Sequence, residues 1–494
     1  MSTEKNKNMS FLQLMGSFNK TFWLASMMEL FERWAWYGLF AVLALYLTGS
    51  TDEGALGFTH TEKGQIMGFV TAILYLLPLF TGVISDKIGY KLSLIIAYLM
   101  LMSGYYFMGE VSSYKNVFLV FLYVAVGAAI FKPVASAIIT KSTDKSNSTL
   151  GFGIFYMMVN IGGFIGPAFS STLRTQYGWK IVFVQASVVI FINLLLVIFF
   201  FKEPKRVKKE EAIGEAMLGA LKNIWEALKD KKLTVLLIIM VGFWTMFNQL
   251  FYTLPTFIED WIDTAALHDS IAQLSPWLAS FMSGGGTSVN PEMLINIDAG
   301  SIVLLQLLVS FYVLKMRHVS AMITGFIIAS IGIGITFYTG NGLFTIIGII
   351  IFAVGEMMTN PTFSSFIALI SPKGKEALYM GTYFVPVFAG NFLTTFVSGN
   401  LYQAWSDKLS LLQAEMAIRN ISMPEITLDF TKNDYFASAS EKLGMSENEM
   451  TQFIWDSYHP NKIWYVIVGI GIVTIIALSV YDKFVIRPKE ANGN

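Results

Sequence analysis

Apolar runs of about 20 residues alternate with short polar segments along most of the chain, and an α-helix of this length crosses a bilayer core of about 30 Å. Twelve such runs are predicted, near residues 21–48, 65–85, 91–109, 116–139, 150–173, 181–201, 233–258, 297–316, 319–339, 343–370, 377–404 and 461–481. The first run follows a polar stretch with lysines and is too long for a signal-peptide core, so we expect it to be retained. The pattern predicts an all-α, polytopic membrane protein with twelve transmembrane helices.

The most basic segment, residues 202–232, separates six predicted spans from six. It predicts an N-terminal six-helix bundle over 1–201 and a C-terminal six-helix bundle over 233–494. Within the segment, apolar residues recur at helical spacing between charged ones, at Ile213, Met217, Leu221, Ile224 and Leu228. This spacing favours an amphipathic helix on the membrane surface over an ordinary solvated linker.

Two polar segments on the predicted outer side are long, at 259–296 and about 405–460. We interpret both as long outer loops, because neither contains a convincing phosphate-binding or metal-binding pattern. The letters "SGGG" in the first are typical of a flexible turn.

The composition supports a membrane protein and excludes several other classes. Hydrophobic residues make up 54% of the 494 residues and charged residues only 14%, and the mean hydropathy is +0.57. Basic and acidic residues number 34 each, so the zero net charge gives no argument for a nucleic-acid partner. The absence of cysteine excludes disulfides and thiol chemistry.

Basic residues are distributed unequally between the two sides of the predicted membrane. With the N-terminus inside, the cytoplasmic segments hold 23 Lys and Arg and the outer loops hold 9. This asymmetry predicts cytoplasmic N- and C-termini. We expect a multi-pass protein of the plasma membrane, which is the inner membrane in a bacterium.

Five charged residues fall in the interior of predicted spans, where each costs about 2.5–3.5 kcal/mol at the bilayer centre on an insertion scale. They are Glu29, Glu32, Arg33, Lys132 and Glu356. Four neutral polar residues lie at similar depth, namely Asn160, Asn248, Gln249 and Asn360. Function is the default expectation for such residues, and a structural ion pair is the alternative for any one of them.

Helical spacing places the first three charges on one face with aromatic residues. Glu29, Glu32, Arg33, Trp36, Tyr37 and Phe40 follow the spacing i, i+3, i+4, i+7, i+8 and i+11. An aromatic stripe alone is usually packing. A stripe that ends in two carboxylates and an arginine favours the wall of a cavity.

The letters "GVISDKIGYK", from Gly82 to Lys91, resemble the loop signature of the major facilitator superfamily. The glycines allow close approach of helices, and the basic residues stay on the cytoplasmic side. The resemblance implies two six-helix bundles that rock about a central site.

Further motifs resemble the proton-dependent oligopeptide transporters. The family's first-helix signature, Glu-x-x-Glu-Arg-Phe-x-Tyr-Tyr-Gly, has its counterpart in "ELFERWAWYG" from Glu29 to Gly38. The fifth-helix signature has its counterpart in "FYMMVNIGGFIGP" from Phe155 to Pro167. Tyr75, "FKPVAS" around Lys132 and "GEMMTNPTFSSFIALISP" around Glu356 are further matches. Together they touch both halves of the chain.

The resemblance implies roles that fit the chemistry of peptides, which share an ammonium, a carboxylate and amides. Glu356 would bind the ammonium, Lys132 and Tyr37 the carboxylate side, and Tyr75 and Asn160 the backbone polar groups. The expected substrate-binding set also includes Trp36, Phe40, Asn248 and Tyr383.

The resemblance also implies that Glu29, Glu32 and Arg33 couple transport to protons. No histidine falls in the middle of a predicted span, because His60, His268, His318 and His459 lie in loops or at span ends. We therefore expect the proton to be carried by a carboxylate, and Glu32 is our choice.

Four departures from the family pattern bear on the substrate. Phe40 stands where many members have a polar residue, Asn248 where many have a glutamate, and Tyr383 where a tryptophan is expected. The linker is also too short for the two additional helices that bacterial members usually insert.

Three functions remain open. The first is proton-coupled import of di- and tripeptides by alternating access. The second is transport of a modified peptide, an amino-acid conjugate or another small anion, which Phe40 and Asn248 motivate. The third is a transporter-like receptor whose long outer loops bind a partner. We expect no enzymatic activity, because the sequence has no nucleophile, nucleotide-binding or zinc-binding pattern. We also expect no cofactor. The expected partners are small peptides, protons and lipid.

Overall fold

A computed structural model describes residues 15–144, 147–203, 212–372 and 375–487. The predicted spans correspond to helical segments that we number α1 to α12. The first six are α1 Lys20–Thr48, α2 His60–Leu76 with Pro78–Ile88, α3 Tyr90–Met108, α4 Tyr114–Ser142, α5 Ser148–Tyr177 and α6 Trp179–Phe200. The other six are α7 Lys231–Tyr252, α8 Pro291–Val313, α9 His318–Tyr338, α10 Gly342–Ile370, α11 Phe384–Thr395 with Phe396–Leu401 and Tyr402–Trp405, and α12 Ile463–Tyr481.

Length and hydropathy agree with the predicted spans. In the described residues, ten helices are long and apolar enough to cross a membrane, and the two parts of α2 make an eleventh. The remaining helix, α1, has 29 residues, but its four charged residues lower its hydropathy. The prediction of an all-α, polytopic membrane protein is confirmed.

Helix α2 is the most irregular of the twelve. Its two parts meet at a bend of 48°, and Pro78 begins the second part. Proline removes a backbone donor and clashes with the preceding turn, which accounts for the bend. A π-helical turn, Gln65–Phe69, lies within the first part, and a second one, Phe396–Leu401, lies within α11.

The linker contains the helix Ile213–Leu228, whose 16 residues include all five apolar positions that predicted it. Residues 204–211 of the linker lie outside the described residues.

The two predicted outer loops need correction, because most of each is helical. The segment after α7 contains the helices Leu254–Trp261, Thr264–Leu274 and Pro276–Ser283. The segment after α11 contains Lys408–Ile418, Lys432–Leu443 and Glu447–Tyr458. The "SGGG" stretch does turn: Gly284 and Gly285 have φ of 62° and 89°, a region that favours glycine.

The described residues form two compact units. Unit 1 takes its residues from Met1–Leu39, Ile73–Ser170 and Lys180–Trp225, and unit 2 from Phe40–Ala72, Ser171–Trp179 and Glu226–Asn494. Unit 2 therefore combines the second half of the chain with the end of α1, the start of α2 and the end of α5. The division into two six-helix bundles at 202–232 stays a prediction.

Candidate functional site

The charged residues of α1 form a buried ion-pair cluster in unit 1. Glu29, Glu32 and Arg33 are 6%, 0% and 5% exposed. Arg33 Nε lies 3.4 Å from Glu29 Oε1, and the guanidinium also pairs with Glu32 Oε2. Oε1 of Glu32 is buried without a hydrogen-bond partner among the described residues. The cluster thus combines two carboxylates and one permanent cation, with one carboxylate oxygen unsatisfied.

Close packing of α1 against α5 holds this cluster in place. A Cβ atom on Gly166 would lie 2.7 Å from the Gly38 nitrogen, and one on Gly162 would lie 2.9 Å from the Arg33 Cβ. Such distances leave no room for a side chain, so the two helices meet backbone to backbone. The two motifs "ELFERWAWYG" and "NIGGFIGP" are therefore parts of one contact.

The aromatic residues of the α1 stripe have different neighbours. Tyr37 lies beneath Arg33, whose guanidinium carbon is 5.7 Å from the ring centroid. Trp36 is buried and stacks on Phe121 of α4, with ring centroids 6.2 Å apart. Phe40 belongs to unit 2, where its ring packs edge-on against Tyr252 at 5.5 Å.

Lys132 of α4 is a half-buried cation in unit 1. Its Nζ lies 4.3 Å from the centroid of the Tyr75 ring on α2, which is within cation–π range. Among the described residues, Lys132 makes no ion pair within 4 Å, although it interacts electrostatically with the α1 cluster. Asn160 of α5 donates from Nδ2 to the Tyr156 carbonyl at 2.9 Å. Lys132 is therefore a cation that meets an aromatic ring and, among the described residues, no carboxylate within 4 Å.

Glu356 of α10 is a buried carboxylate in unit 2 and is 9% exposed. Its Oε2 has no hydrogen-bond partner among the described residues. Asp298 of α8, 4% exposed, interacts electrostatically with it. The helices pack beside this pair, because Ile302 of α8 and Met357 of α10 share a hydrophobic cluster. Sequence analysis missed Asp298, a further acidic residue within a span-length helix.

The neutral candidates in unit 2 are hydrogen-bonded. Asn248 of α7 donates from Nδ2 to Thr394 Oγ1 at 3.5 Å. The Tyr383 hydroxyl donates to Asn360 Oδ1 at 2.6 Å. Gln249 donates from Nε2 to the Thr245 carbonyl at 2.7 Å. These bonds fix the orientation of polar side chains on α7, α10 and α11.

Unit 2 contains a second polar cluster, which sequence analysis missed. His60, the first residue of α2, lies with Nε2 3.3 Å from Asp407 Oδ1, and the Tyr402 hydroxyl donates to Asp260 Oδ2 at 2.8 Å. Lys63 is fully buried and donates from Nζ to the Tyr252 carbonyl at 2.9 Å. The available signal was a histidine and a lysine one turn apart at the start of a span; their partners are too distant in sequence to infer.

The end of α5 is tied to the start of α8 within unit 2. Arg174 donates from Nε to Glu292 Oε1 at 2.9 Å and from Nη2 to Glu292 Oε2 at 3.2 Å. Asn290 donates from Nδ2 to Ser171 Oγ at 2.7 Å and to Thr175 Oγ1 at 2.9 Å. We call these bonds the α5–α8 latch; they join a segment from the first half of the chain to one from the second.

Known proteins resemble this chain in both sequence and fold. The sequence profile of the Major Facilitator Superfamily matches residues 22–291. Dipeptide and tripeptide permease B of Aliivibrio fischeri (strain MJ11) is 30% identical over 173 residues, 33% of each protein. The crystal structure of a peptide transporter POT in complex with sulfate has a TM-score of 0.67 at 14% identity, over 96% of this chain and 99% of that one.

A further solved structure, of a POT family transporter in complex with 5-aminolevulinic acid, has a TM-score of 0.65 at 16% identity, over 94% of this chain and 95% of that one. At such identities the two solved structures establish the fold alone. The chain spans between a third and a half of the length of the curated relatives that it matches.

These findings confirm the resemblance that the motifs predicted: the relatives include peptide permeases, and the fold is that of POT transporters. The family and its structural neighbours are transporters and not enzymes. The chain, a multi-pass membrane protein, belongs to the Major Facilitator Superfamily.

Proposed function

We propose that the protein is a proton-coupled symporter that imports di- and tripeptides by alternating access. The observation that supports this best is one cation and one carboxylate that are not neutralised by an ion pair. Lys132 makes no ion pair within 4 Å among the described residues and contacts the Tyr75 ring, and Glu356 keeps a buried oxygen without a hydrogen bond. A peptide of any sequence carries one carboxylate and one ammonium, which are the two groups that these side chains would bind.

In this proposal the polar neighbours orient the substrate. Tyr37 and Lys132 bind the carboxylate end, Tyr75 and Asn160 the backbone, and Glu356 the ammonium. Trp36, Phe40, Asn248 and Tyr383 form the remaining surface, and Asp298 adds negative charge near the ammonium. The curated relatives named as dipeptide and tripeptide permeases support the substrate class.

The α1 cluster would carry the proton. Arg33 stays charged at any working pH, so protonation must occur on Glu29 or Glu32. Glu32 pairs with Arg33 and has an unsatisfied second oxygen, which makes its interactions sensitive to its own protonation. A proton that binds the two forms of the transporter unequally shifts the balance between them.

The unequal distribution of basic residues between the two sides of the membrane indicates the orientation of the protein. We propose that the protein lies in the plasma membrane, the inner membrane of a bacterium, with both termini cytoplasmic. The α5–α8 latch would then lie at the outer end of the helices and would have to break for substrate to enter from outside.

A second function is transport of a different small zwitterion or anion. The solved POT family structure with 5-aminolevulinic acid is of a protein that binds a non-peptide ligand with an amine and a carboxylate. Phe40 stands where many family members have a polar residue, and Asn248 stands where many have a glutamate. Both departures favour this alternative.

Uptake into proteoliposomes tests both. We expect labelled dipeptide to accumulate when the outside is acidic, and the internal pH to fall as protons enter with it. Proton entry that is driven by a small amino acid, and by none of the peptides tested, would support the second function. Binding without movement of substrate or protons would contradict both and favour a receptor.

A further inference from the structure

Three side chains that commonly bind metals converge in unit 2, outside the residues assigned to the substrate. His60 begins α2, Asp260 lies in the helix Leu254–Trp261, and Asp407 caps the helix Lys408–Ile418. One ligand atom from each lies within 4.8 Å of the other two. The three residues are only 3%, 8% and 2% exposed.

The spacing of the first pair fits a shared metal ion. His60 Nε2 and Asp407 Oδ1 are 3.3 Å apart, longer than the usual N–H···O distance of about 2.9 Å. Two ligands of a tetrahedral zinc ion with bonds of about 2.0 Å lie about 3.3 Å apart. The pair is therefore placed as well for ligation as for a direct hydrogen bond.

Hydrogen bonds orient both carboxylates, and Oδ1 of Asp407 faces His60. Oδ2 of Asp407 accepts from Gln403 Nε2 at 2.7 Å and from the Ser410 amide at 3.1 Å. Oδ2 of Asp260 accepts from the Tyr402 hydroxyl. Such outer bonds position metal ligands in proteins.

His60 itself is not fully satisfied by the protein. Its Nδ1 is buried and has no hydrogen-bond partner among the described residues. Nε2 faces Asp407 Oδ1, so a metal ion bound there would replace the proton between these two atoms, and Nδ1 would carry the remaining ring proton.

Space and charge also permit an ion. A cavity of about 40 Å³ is lined by His60, Asp260, Glu259 and other residues, which is enough for a water molecule as an additional ligand. Lys63 makes no ion pair within 4 Å in the described part of the chain, so it compensates the two aspartates only from a distance.

We propose that His60, Asp260 and Asp407 form a binding site for a divalent transition metal, best matched by Zn²⁺. One imidazole and two carboxylates suit zinc, whereas Ca²⁺ takes six to eight oxygen ligands. The bound ion links the start of α2 to segments from the second half of the chain, and so stabilises this end of unit 2. The site is independent of which substrate the protein transports.

Metal titration of the purified, tag-free full-length protein tests the site. We expect Zn²⁺ to raise the thermal unfolding temperature saturably, and Co²⁺ to give the visible absorption of a tetrahedral site that Zn²⁺ displaces. His60→Gln keeps a polar side chain but should weaken Zn²⁺ binding by at least about tenfold. His268→Gln is the matched control, because His268 also lies beside an aspartate, at 3.5 Å, without a third ligand.

A second variant guards against misfolding. His60→Cys restores a metal ligand in a chain that has no other cysteine, so its Co²⁺ complex should show thiolate-to-metal charge transfer. Folded wild-type protein with no metal-dependent spectrum or stabilisation would overturn the site. Equal Zn²⁺ affinity of wild type and His60→Gln would overturn it too, and would leave His60 and Asp407 as a hydrogen-bonded pair.

Discussion

Glu356 is the residue on which peptide recognition most depends in the proposed function. It is buried, one of its oxygens lacks a hydrogen bond in the described structure, and Asp298 adds a second negative charge nearby. A hydrogen bond between charged groups contributes about 1.5–3 kcal/mol. Glu356→Gln is therefore expected to weaken binding of dipeptides with a free amino terminus by about 10- to 100-fold.

Binding calorimetry with a dipeptide and its N-acetylated form measures this loss. The acetylated peptide should bind wild type weakly and change little in the variant. Glu226→Gln serves as the control, because Glu226 forms an exposed pair with Lys229. Unchanged dipeptide affinity in Glu356→Gln would show that the ammonium binds elsewhere.

Glu32 carries the coupling hypothesis. If its protonation drives the transporter between forms, Glu32→Gln should lose accumulation driven by a proton gradient and keep exchange of substrate for substrate. A static Glu32–Arg33 pair predicts instead that both activities fall together with thermal stability. Both transport assays in the same proteoliposomes decide between the two, and continued accumulation against a gradient would refute the assignment.

Phe40 is tightly packed in this structure, which determines the expected effect of placing a charge at residue 40. Its side chain is 6% exposed and packs against Tyr252. Phe40→Arg would place a charge in an apolar contact at a cost of about 2.5–3.5 kcal/mol. We expect a lower unfolding temperature, with Phe40→Leu as the milder control; a stable Phe40→Arg protein with tighter dipeptide binding would show that residue 40 faces the substrate.

At the level of elements, the α1–α5 contact should be intolerant of a single methyl group. A Cβ on Gly166 would overlap the backbone of α1, whereas one on Gly153 of the same helix meets nothing within 4 Å. Overpacking costs about 1–3 kcal/mol, while alanine is favoured over glycine in a helix by about 1 kcal/mol. Thermal unfolding should therefore be lowered in Gly166→Ala and unchanged or raised in Gly153→Ala; the same shift in both would contradict the close contact.

The spans were predictable because the bilayer imposes a length on each apolar run. Predicted 343–370 is observed as Gly342–Ile370, and predicted 91–109 as Tyr90–Met108. The helices of the outer segments were missed because they are short, with 8 to 12 residues each. A readable signal did exist: Thr431 with Asp434, and Ser446 with Glu449, form capping boxes that begin two of these helices.

The candidate site was predictable only in part, for a physical reason. Charges inside apolar runs are conspicuous, so Glu29, Glu32, Arg33, Lys132 and Glu356 could be named in advance. Asp298 was overlooked because it is near the start of a predicted span, where a charge costs less. The His60, Asp260 and Asp407 cluster depends on contacts between residues hundreds of positions apart, which no local pattern encodes.

At the level of the whole molecule, the α5–α8 latch should control access. Glu292 is fully buried, so removing Arg174 would leave an uncompensated charge. Glu292→Gln is the milder change, because Arg174 would keep its cation–π contact with Trp179, whose ring centre is 5.0 Å from the guanidinium carbon. Loss of about 1–2 kcal/mol would raise the population without the latch by about 5- to 30-fold.

Cysteine labelling measures this population, because the chain has no native cysteine. Ser283→Cys, at a position that is 0% exposed, should react slowly with a membrane-impermeant maleimide and several-fold faster once Glu292→Gln is added. Ser270→Cys, at an exposed position, should react equally in both backgrounds. Equal slow labelling of Ser283→Cys in both would show that the latch does not restrict access.

The unbroken course of α1 has a mechanical consequence. The ion-pair cluster lies in its unit 1 portion and the residues from Phe40 onward belong to unit 2, with no break in the helix between them. From Glu29 to Thr48 the axis extends about 28 Å. A tilt of only about 10° at one end displaces the other by about 5 Å. If protonation of Glu32 tilted α1, the far end of the helix would move farther than the residues beside Glu32. The stiffness of α1 would determine how much of that movement reaches Thr48.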